Sequence, residues 1–114
     1  MSEEVKPKEV KVLTIDQEVS GFFKSRKSTS FENRLKKIVA DKLKEINVSL
    51  DGLKVNQKNK VLDQKTGNFI VTYEAYGNGK LVYALAVHGK GTIISRNGKA
   101  YLKAQKYILD VFYF

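Results

Sequence analysis

The spacing of hydrophobic residues between positions 29 and 46 predicts an amphipathic helix. Thr29 and Glu32 stand three residues apart at its start, which is the spacing of a capping box. Charged residues lie off the apolar stripe, so we expect the helix to pack on an apolar surface through one face. The apolar side chains of that face recur three or four residues apart, at Phe31, Leu35, Ile38, Val39, Leu43 and Ile46.

The chain ahead of this helix predicts one strand and one short helix. Residues 10–15 (VKVLTI) are rich in the β-branched residues that strands favour. Residues 16–27 (DQEVSGFFKSRK) are expected to form a short helix that turns Val19, Phe22 and Phe23 towards the core. The predicted order is therefore strand, helix, helix.

Beyond residue 47 the apolar period becomes two, which is the period of strands. Glycine-rich segments at 77–80 and 88–91, and the Asn97-Gly98 pair, have the composition of tight turns. We expect the strands between these turns to form a meander, in which each strand pairs with the next. The predicted strands are 69–76, 81–87, 92–96 and the segment from 99 onward.

Three segments have less regular patterns. Residues 48–55 predict a strand or a hairpin that closes at Asp51-Gly52, and residues 56–68 are expected to be mostly loop. Residues 99–114 are expected to remain a strand. A change from strand to helix near residue 105 stays open, because four polar residues also have the spacing of a helix face, namely Lys99, Lys103, Lys106 and Asp110.

These elements predict an α+β fold. We expect one or two N-terminal helices packed on an antiparallel β-meander of four or more strands, in a single domain at residues 10–114. Residues 1–9 are expected to form a polar arm ahead of it.

Charge adds a functional expectation to this fold. The chain of 114 residues has 21 Lys and Arg against 12 Asp and Glu, a net charge of +9. Residues 52–114 hold ten of these cations against three acids, and nine of the twelve Phe and Tyr lie from residue 69 onward. Most cations are lysines, which suit phosphate backbones better than base-specific recognition. Nucleic acid is therefore the expected partner.

The last predicted strand offers a binding surface. Alternation along a strand places Tyr101, Lys103, Gln105 and Tyr107 on one face, and Leu102, Ala104 and Ile108 on the core face. Rings on which bases stack, beside lysines that follow phosphates, are typical of single-stranded DNA or RNA binding. An antiparallel sheet with one solvated face also shows Tyr and Lys without any ligand, which leaves a structural or protein-interaction role open.

The meander predicts where further cations of this site lie. Its first and third turns fall at one end of the sheet and would place Lys80, Arg96 and Lys99 on a common rim. The second turn would place His88 and Lys90 on the opposite rim. Tyr83, together with Tyr73 or Tyr76, could extend the stacking platform.

Residues 11–46 also resemble a ribbon-helix-helix DNA-binding domain, in the order of a short strand, a helix, a turn and a capped amphipathic helix. The resemblance covers about a third of the chain. It implies an obligate dimer that places paired strands in the major groove of duplex DNA, as a regulator would. Lys11, Leu13 and Ile15 would lie on one side of that ribbon, with Val12 and Thr14 on the other.

An enzymatic role has weaker support. Asp51, Asp63 and Lys65 match the loose spacing of a metal-dependent nuclease, in which two carboxylates hold a magnesium ion. Two aspartates in turns and a surface lysine explain the same pattern. With one histidine and no cysteine, we expect a protein that is not an enzyme and has no metal or cofactor.

The C-terminal residues Phe112, Tyr113 and Phe114 suggest either core packing or a homodimer contact. The chain shows no apolar run of about 18 residues that would span a membrane. It begins without the apolar stretch of a secretory signal and has no cysteine for disulfides. We therefore expect a protein that is cytoplasmic, or intracellular in a host if it is viral, with no membrane partner.

Overall fold

The computed structural model describes residues 6–23, 30–96 and 98–114, with the side chain of Arg96 left aside. Within these ranges the chain forms eight strands and one helix, which confirms an α+β fold built on antiparallel sheet. The elements are β1 (Glu9–Ile15), β2 (Val19–Phe22), α1 (Ser30–Lys44), β3 (Lys54–Leu62), β4 (Asn68–Gly77), β5 (Lys80–Lys90), β6 (Thr92–Arg96), β7 (Lys99–Ala104) and β8 (Tyr107–Tyr113).

The strands form two antiparallel sheets. The large sheet has the order β1-β8-β5-β4-β3, and the small sheet has the order β2-β7-β6. Three stretches of chain, β1–β2, β5–β6 and β7–β8, each run from one sheet into the other without reversing direction. The small sheet is therefore a bent continuation of the large one.

Helix α1 packs on the inner face of the large sheet, as its apolar stripe predicts. Phe31, Leu35 and Leu43 have no exposed surface, and Ile46 alone of the predicted stripe is only partly buried. The Phe31 ring meets the Phe69 ring of β4 edge-on, with 5.4 Å between centroids. The helix and the two inner sheet faces thus enclose one core.

A β-bulge lies where the chain passes from one sheet to the other. The pairs Gly89–Tyr107 and Thr92–Lys103 enclose residues 90–91 on one strand and residues 104–106 on the other. One extra residue reverses which side chains face inward. Gly91 leaves room for this bend, since a Cβ there would lie 2.8 Å from the carbonyl oxygen of Lys103.

An ion pair is buried between α1 and the edge strand β3. Lys60 Nζ lies 2.5 Å from Glu32 Oε1, and the two side chains are 3% and 2% exposed. The ammonium also lies 4.7 Å from the centroid of the Phe23 ring. The expected loop is wrong for residues 56–62, which belong to β3, whereas residues 63–67 connect β3 to β4 as a loop. The strand was missed because a paired lysine occupies its buried position, where an apolar residue would normally indicate a strand.

The short helix predicted at residues 16–27 is wrong. Residues 19–22 form β2 and pair with β7, and residues 24–29 lie outside the described ranges. The observed helix count is one, and α1 follows two strands. Because the first helix of a ribbon-helix-helix domain is replaced by a strand, the resemblance to that family is also wrong.

The expected meander is wrong in one turn. The turn at Asn78-Gly79 joins paired strands as predicted. β6 and β7 pair up to Arg96 and Lys99, and Asn97 of the turn predicted between them lies outside the described residues. Residues 88–91 do not form a turn, because β5 continues through Gly91 into β6. The Asp51-Gly52 turn forms, but no strand precedes it at residues 48–50. β7 and β8, on either side of the bulge, are both strands, which confirms the prediction of strand rather than helix after residue 99.

No helix in the described part of the chain has the length and apolar character needed to cross a membrane.

Breaking the buried ion pair should strongly destabilise the protein. Lys60→Met would leave the Glu32 carboxylate buried without its ammonium, so we expect the free energy of unfolding to fall by about 3–5 kcal/mol. The double variant Lys60→Met/Glu32→Leu should recover most of this loss. Urea denaturation monitored by circular dichroism measures both.

The matched control is Lys58→Met in the same strand. Lys58 is half exposed and pairs with Glu74 at 3.4 Å, so its loss should cost less than about 1 kcal/mol. Equal costs for Lys58→Met and Lys60→Met would contradict the role given to the buried pair.

Candidate nucleic-acid interface

The outer face of the small sheet carries an apolar row that crosses all three strands. Phe22 lies opposite Tyr101, and Tyr101 lies opposite Ile94. The Phe22 and Tyr101 rings meet edge-on with 5.3 Å between centroids. The Tyr101 hydroxyl donates to Ser20 Oγ at 3.2 Å, and Ile94 is 39% exposed. Two partly exposed rings and an exposed isoleucine thus lie side by side.

A polar row runs beside it. Ser20, Lys103 and Thr92 lie opposite one another across the same strands. Lys103 Nζ lies 3.5 Å from Glu18 Oε1, and both side chains are about half exposed. A pair this open to water contributes less than about 1 kcal/mol, so a phosphate can compete with Glu18 for the ammonium.

A groove of about 480 Å³ lies at the bend between the sheets. Three lysines, Lys90, Lys103 and Lys106, line it, and the bulge leaves Gln105 and Lys106 exposed. We call the outer face of the small sheet together with this groove the basic face. Its members are Ser20, Phe22, Lys90, Gly91, Thr92, Ile94, Lys99, Tyr101, Lys103, Gln105 and Lys106.

The structure brings together most of the predicted site. Lys99, Tyr101 and Lys103 share the outer side of β7, while Lys90 and Gln105 lie in the adjoining groove. The backbone of Arg96 ends β6 opposite Lys99, and its side chain lies outside the described part of the structure.

Tyr107 does not lie on this face. Its side chain is 1% exposed, and its hydroxyl donates to the carbonyl oxygen of Gln17 at 2.8 Å. Burial raises the pKa of Tyr107 to about 12. The prediction fails because simple alternation ignores the bulge, which turns Tyr107 inward and Ile108 outward.

Lys80 and Tyr83 lie at the other end of the β5–β6 stretch. Lys80 follows the Asn78-Gly79 turn, so the common rim predicted for Lys80 with Arg96 and Lys99 is wrong. The Tyr83 ring packs edge-on against Tyr113 at 5.4 Å between centroids and borders the core.

The other two tyrosines of the expected platform also lie away from the basic face. Tyr73 is 4% exposed, and burial together with the nearby Glu32 carboxylate raises its pKa. The Tyr76 hydroxyl donates to Glu74 at 2.9 Å on the large sheet.

Sequence reasoning missed Phe22 and Ile94. The sequence pattern predicts Phe22 in a helix and assigns Ile94 to no face, so it does not reveal the row that they form with Tyr101. The alternation Val19-Ser20-Gly21-Phe22 carries the missing signal, because Val19 and Gly21 are buried while Ser20 and Phe22 are not.

The nuclease residues are not brought together. Asp51 precedes β3 and Asp63 follows it, so this nine-residue strand holds them about 30 Å apart. Asp63 Oδ1 accepts a hydrogen bond from the backbone N–H of Lys65 at 2.9 Å, as turn aspartates do. No group of three or more potential metal ligands occurs among the described residues.

A second outer surface, on the large sheet, has the opposite character. It consists of the side chains that point away from α1 in the three middle rows of the five strands, and none of these is a lysine or arginine. Lys90, opposite Asn68, and Lys54, opposite Tyr76, lie in the rows beyond its two ends. We call this the neutral face. Its members are Val10, Val12, Thr14, Asn59, Val61, Ile70, Thr72, Glu74, Ala84, Ala86, His88, Ile108, Asp110 and Phe112.

The comparisons with protein-family models, curated proteins and solved structures give no match to this chain.

Alkaline pH should destabilise the protein partly through Tyr107. Its pKa is raised from 10.0 to about 12 in the folded state, so the folded state favours the neutral phenol. That stabilisation is complete below pH 10 and is lost as the pH rises through about 12. In urea titrations between these pH values, Tyr107→Phe should lose less stability than the parent. An equal loss in both proteins would contradict the assignment.

Proposed function

We propose that the protein binds single-stranded nucleic acid through the basic face, with little sequence preference. The observation that carries the proposal is the apolar row Phe22–Tyr101–Ile94 lying directly beside the lysine-lined groove. Bases stack on or pack against the row, and the phosphates between them follow the groove. Rings and cations on one surface are the combination that such binding requires.

The partly exposed rings of Phe22 and Tyr101 favour single strands over duplex. A ring can stack only on a base whose face is free, and duplex bases are already stacked on each other. Each base–ring contact contributes about 1–3 kcal/mol by alanine substitution. The row crosses three strands spaced about 4.8 Å apart, so it accommodates only a few bases, and a longer strand must continue along the lysines.

The charge distribution supports phosphate contacts without base reading. Lys90, Lys99 and Lys106 are exposed on this surface, and the described ion pair of Lys103 is half open to water. Lysine presents a hydrated point charge, whereas base recognition favours the forked donors of arginine. Binding should therefore depend strongly on salt and weakly on sequence.

A structural or protein-interaction role is the second candidate. The neutral face favours it, because four of its side chains belong to the exposed large hydrophobic residues of the protein, namely Val10, Val12, Val61 and Ile70. On that account the lysines serve solubility, and no saturable binding of nucleic acid is expected at physiological salt.

Removing the groove lysines should weaken binding specifically. We expect the triple variant Lys90→Ala/Lys103→Ala/Lys106→Ala to bind a fluorescent oligothymidylate more weakly than the parent does. The slope of log K against log salt should fall by about 2, since each lost phosphate contact on a single strand contributes about 0.7. Fluorescence anisotropy at several salt concentrations measures both quantities.

The matched control is Lys37→Ala/Lys65→Ala/Lys80→Ala, which removes the same charge from exposed positions outside the basic face. The control should keep most of the affinity. Equal losses in the two triple variants would mean that net charge alone attracts the nucleic acid and that the basic face is not a site.

Replacing the Tyr101 ring should separate stacking from simple apolar contact. Tyr101→Leu keeps an apolar side chain but removes the ring, so affinity should fall about 5- to 100-fold, as expected for the loss of one stacked base. Tyr101→Phe keeps the ring and should bind nearly as the parent does. Unchanged binding by Tyr101→Leu would show that Tyr101 is not part of the site. A preference of the parent protein for duplex over single-stranded nucleic acid would contradict the proposal itself.

A further inference from the structure

The neutral face is an apolar surface open to solvent on a strongly basic chain. Val12 is 64% exposed, Val61 is 57% exposed and Val10 is 47% exposed. Val12 on β1 and Val61 on β3 lie on the two edge strands, with Ile108, Phe112 and two alanines on the strands between them. Apolar surface therefore extends across the whole sheet, and such surfaces on water-soluble domains mark contact sites.

The charged groups of this face are already paired. Asp110 Oδ2 lies 2.9 Å from His88 Nε2, and Glu74 Oε1 lies 3.4 Å from the ammonium of Lys58 at the edge of the face. Because each carboxylate has its partner within the same sheet, covering the face would leave neither one buried and unpaired.

The dimensions match a small specific interface. Five strands spaced about 4.8 Å apart and three rows of outward side chains about 7 Å apart give about 500 Å². Two such faces in contact would bury about 1,000 Å², which is the lower end for a specific association.

We propose that the neutral face is the contact between two copies of this chain, packed sheet against sheet around a two-fold axis. The proposal is independent of nucleic-acid binding. Two chains of charge +9 repel one another wherever their lysines meet. The neutral face has no lysine among its members, and Lys54 and Lys90 lie in the rows beyond its two ends. An acidic partner would bind at the lysines, which lie outside this face. The partner surface expected at the neutral face is therefore uncharged.

A second copy supplies such a surface by symmetry. A two-fold contact uses the same patch on both chains, so a locally neutral, apolar patch is complementary to itself. Face-to-face sheets pack about 10 Å apart, with their side chains interdigitated. Beyond Lys90 the chain enters the small sheet, whose outer side chains belong to the basic face. The basic face is therefore not part of the contact.

This contact differs from the homodimer expected through the C-terminal aromatic residues. Phe112 belongs to the neutral face, but Tyr113 packs against Tyr83 beside the core. The backbone N–H of Phe114 donates to the carbonyl oxygen of Val82 at 3.0 Å. Phe112 therefore contributes its side chain to the contact, and Tyr113 does not.

Sedimentation equilibrium tests the proposal. The parent protein should show a concentration-dependent mass that approaches twice the 12.9 kDa of one chain. Val12→Lys/Ile70→Lys places cations on both halves of the face at exposed positions and should sediment as a folded monomer. Ile94→Lys adds a cation at an exposed apolar position of the small sheet and should leave the dimer intact.

Thiol labelling gives an independent readout, because the chain has no cysteine. Ala86→Cys, at the centre of the neutral face, should react with maleimide more slowly as protein concentration rises, and Ile94→Cys should not. A parent that stays monomeric, or a dimer that survives Val12→Lys/Ile70→Lys, would overturn the proposal. So would a dimer that Ile94→Lys dissociates. Oligonucleotide binding by the monomeric variant would show that the basic face functions alone.

Discussion

At the junction between the two sheets, β7–β8 places three residues opposite two residues of β5–β6. This extra residue reverses the alternation of side chains, so Leu102 and Ala104 point inward on one side of it and Tyr107 and Leu109 on the other. The same backbone arrangement exposes Gln105 and Lys106 beside Lys90. The core, the bend and the lysine-lined groove therefore depend on one local irregularity, which Gly91 accommodates by leaving room for the carbonyl oxygen of Lys103.

The bend also divides the outer surface by charge. The outward residues in the middle of β5 are Ala84, Ala86 and His88. The outward residues that follow, at the end of β5 and along β6, are Lys90, Thr92 and Ile94. The large sheet thus presents a neutral, apolar surface, and the small sheet presents rings and cations. Lys60 lies at an inward position of β3, opposite Val71, and its pair with Glu32 attaches the edge strand to α1.

Local periodicity and turn composition were sufficient to predict the helix, β1, the turn at Asn78-Gly79 and the pairing of β6 with β7. It failed where tertiary contacts decide. Residues 19–22 form a strand because they pair with β7, and Gly21 permits the start of α1 to approach, since a Cβ there would lie 2.5 Å from the Phe31 nitrogen. The candidate site was predicted on β7 and at Arg96 at the end of β6, but not at Phe22 of β2 or Ile94 of β6, because no local pattern shows which strands will be neighbours.

Chemical-shift mapping tests the central claim most directly. Amide signals of the ¹⁵N-labelled protein would be followed during titration with a short oligothymidylate. Binding at the basic face predicts that the largest changes occur in β2, β6 and β7 and at Lys90, Gly91, Gln105 and Lys106. Changes concentrated on α1 or on the neutral face, or no changes on addition of the oligonucleotide, would contradict the account.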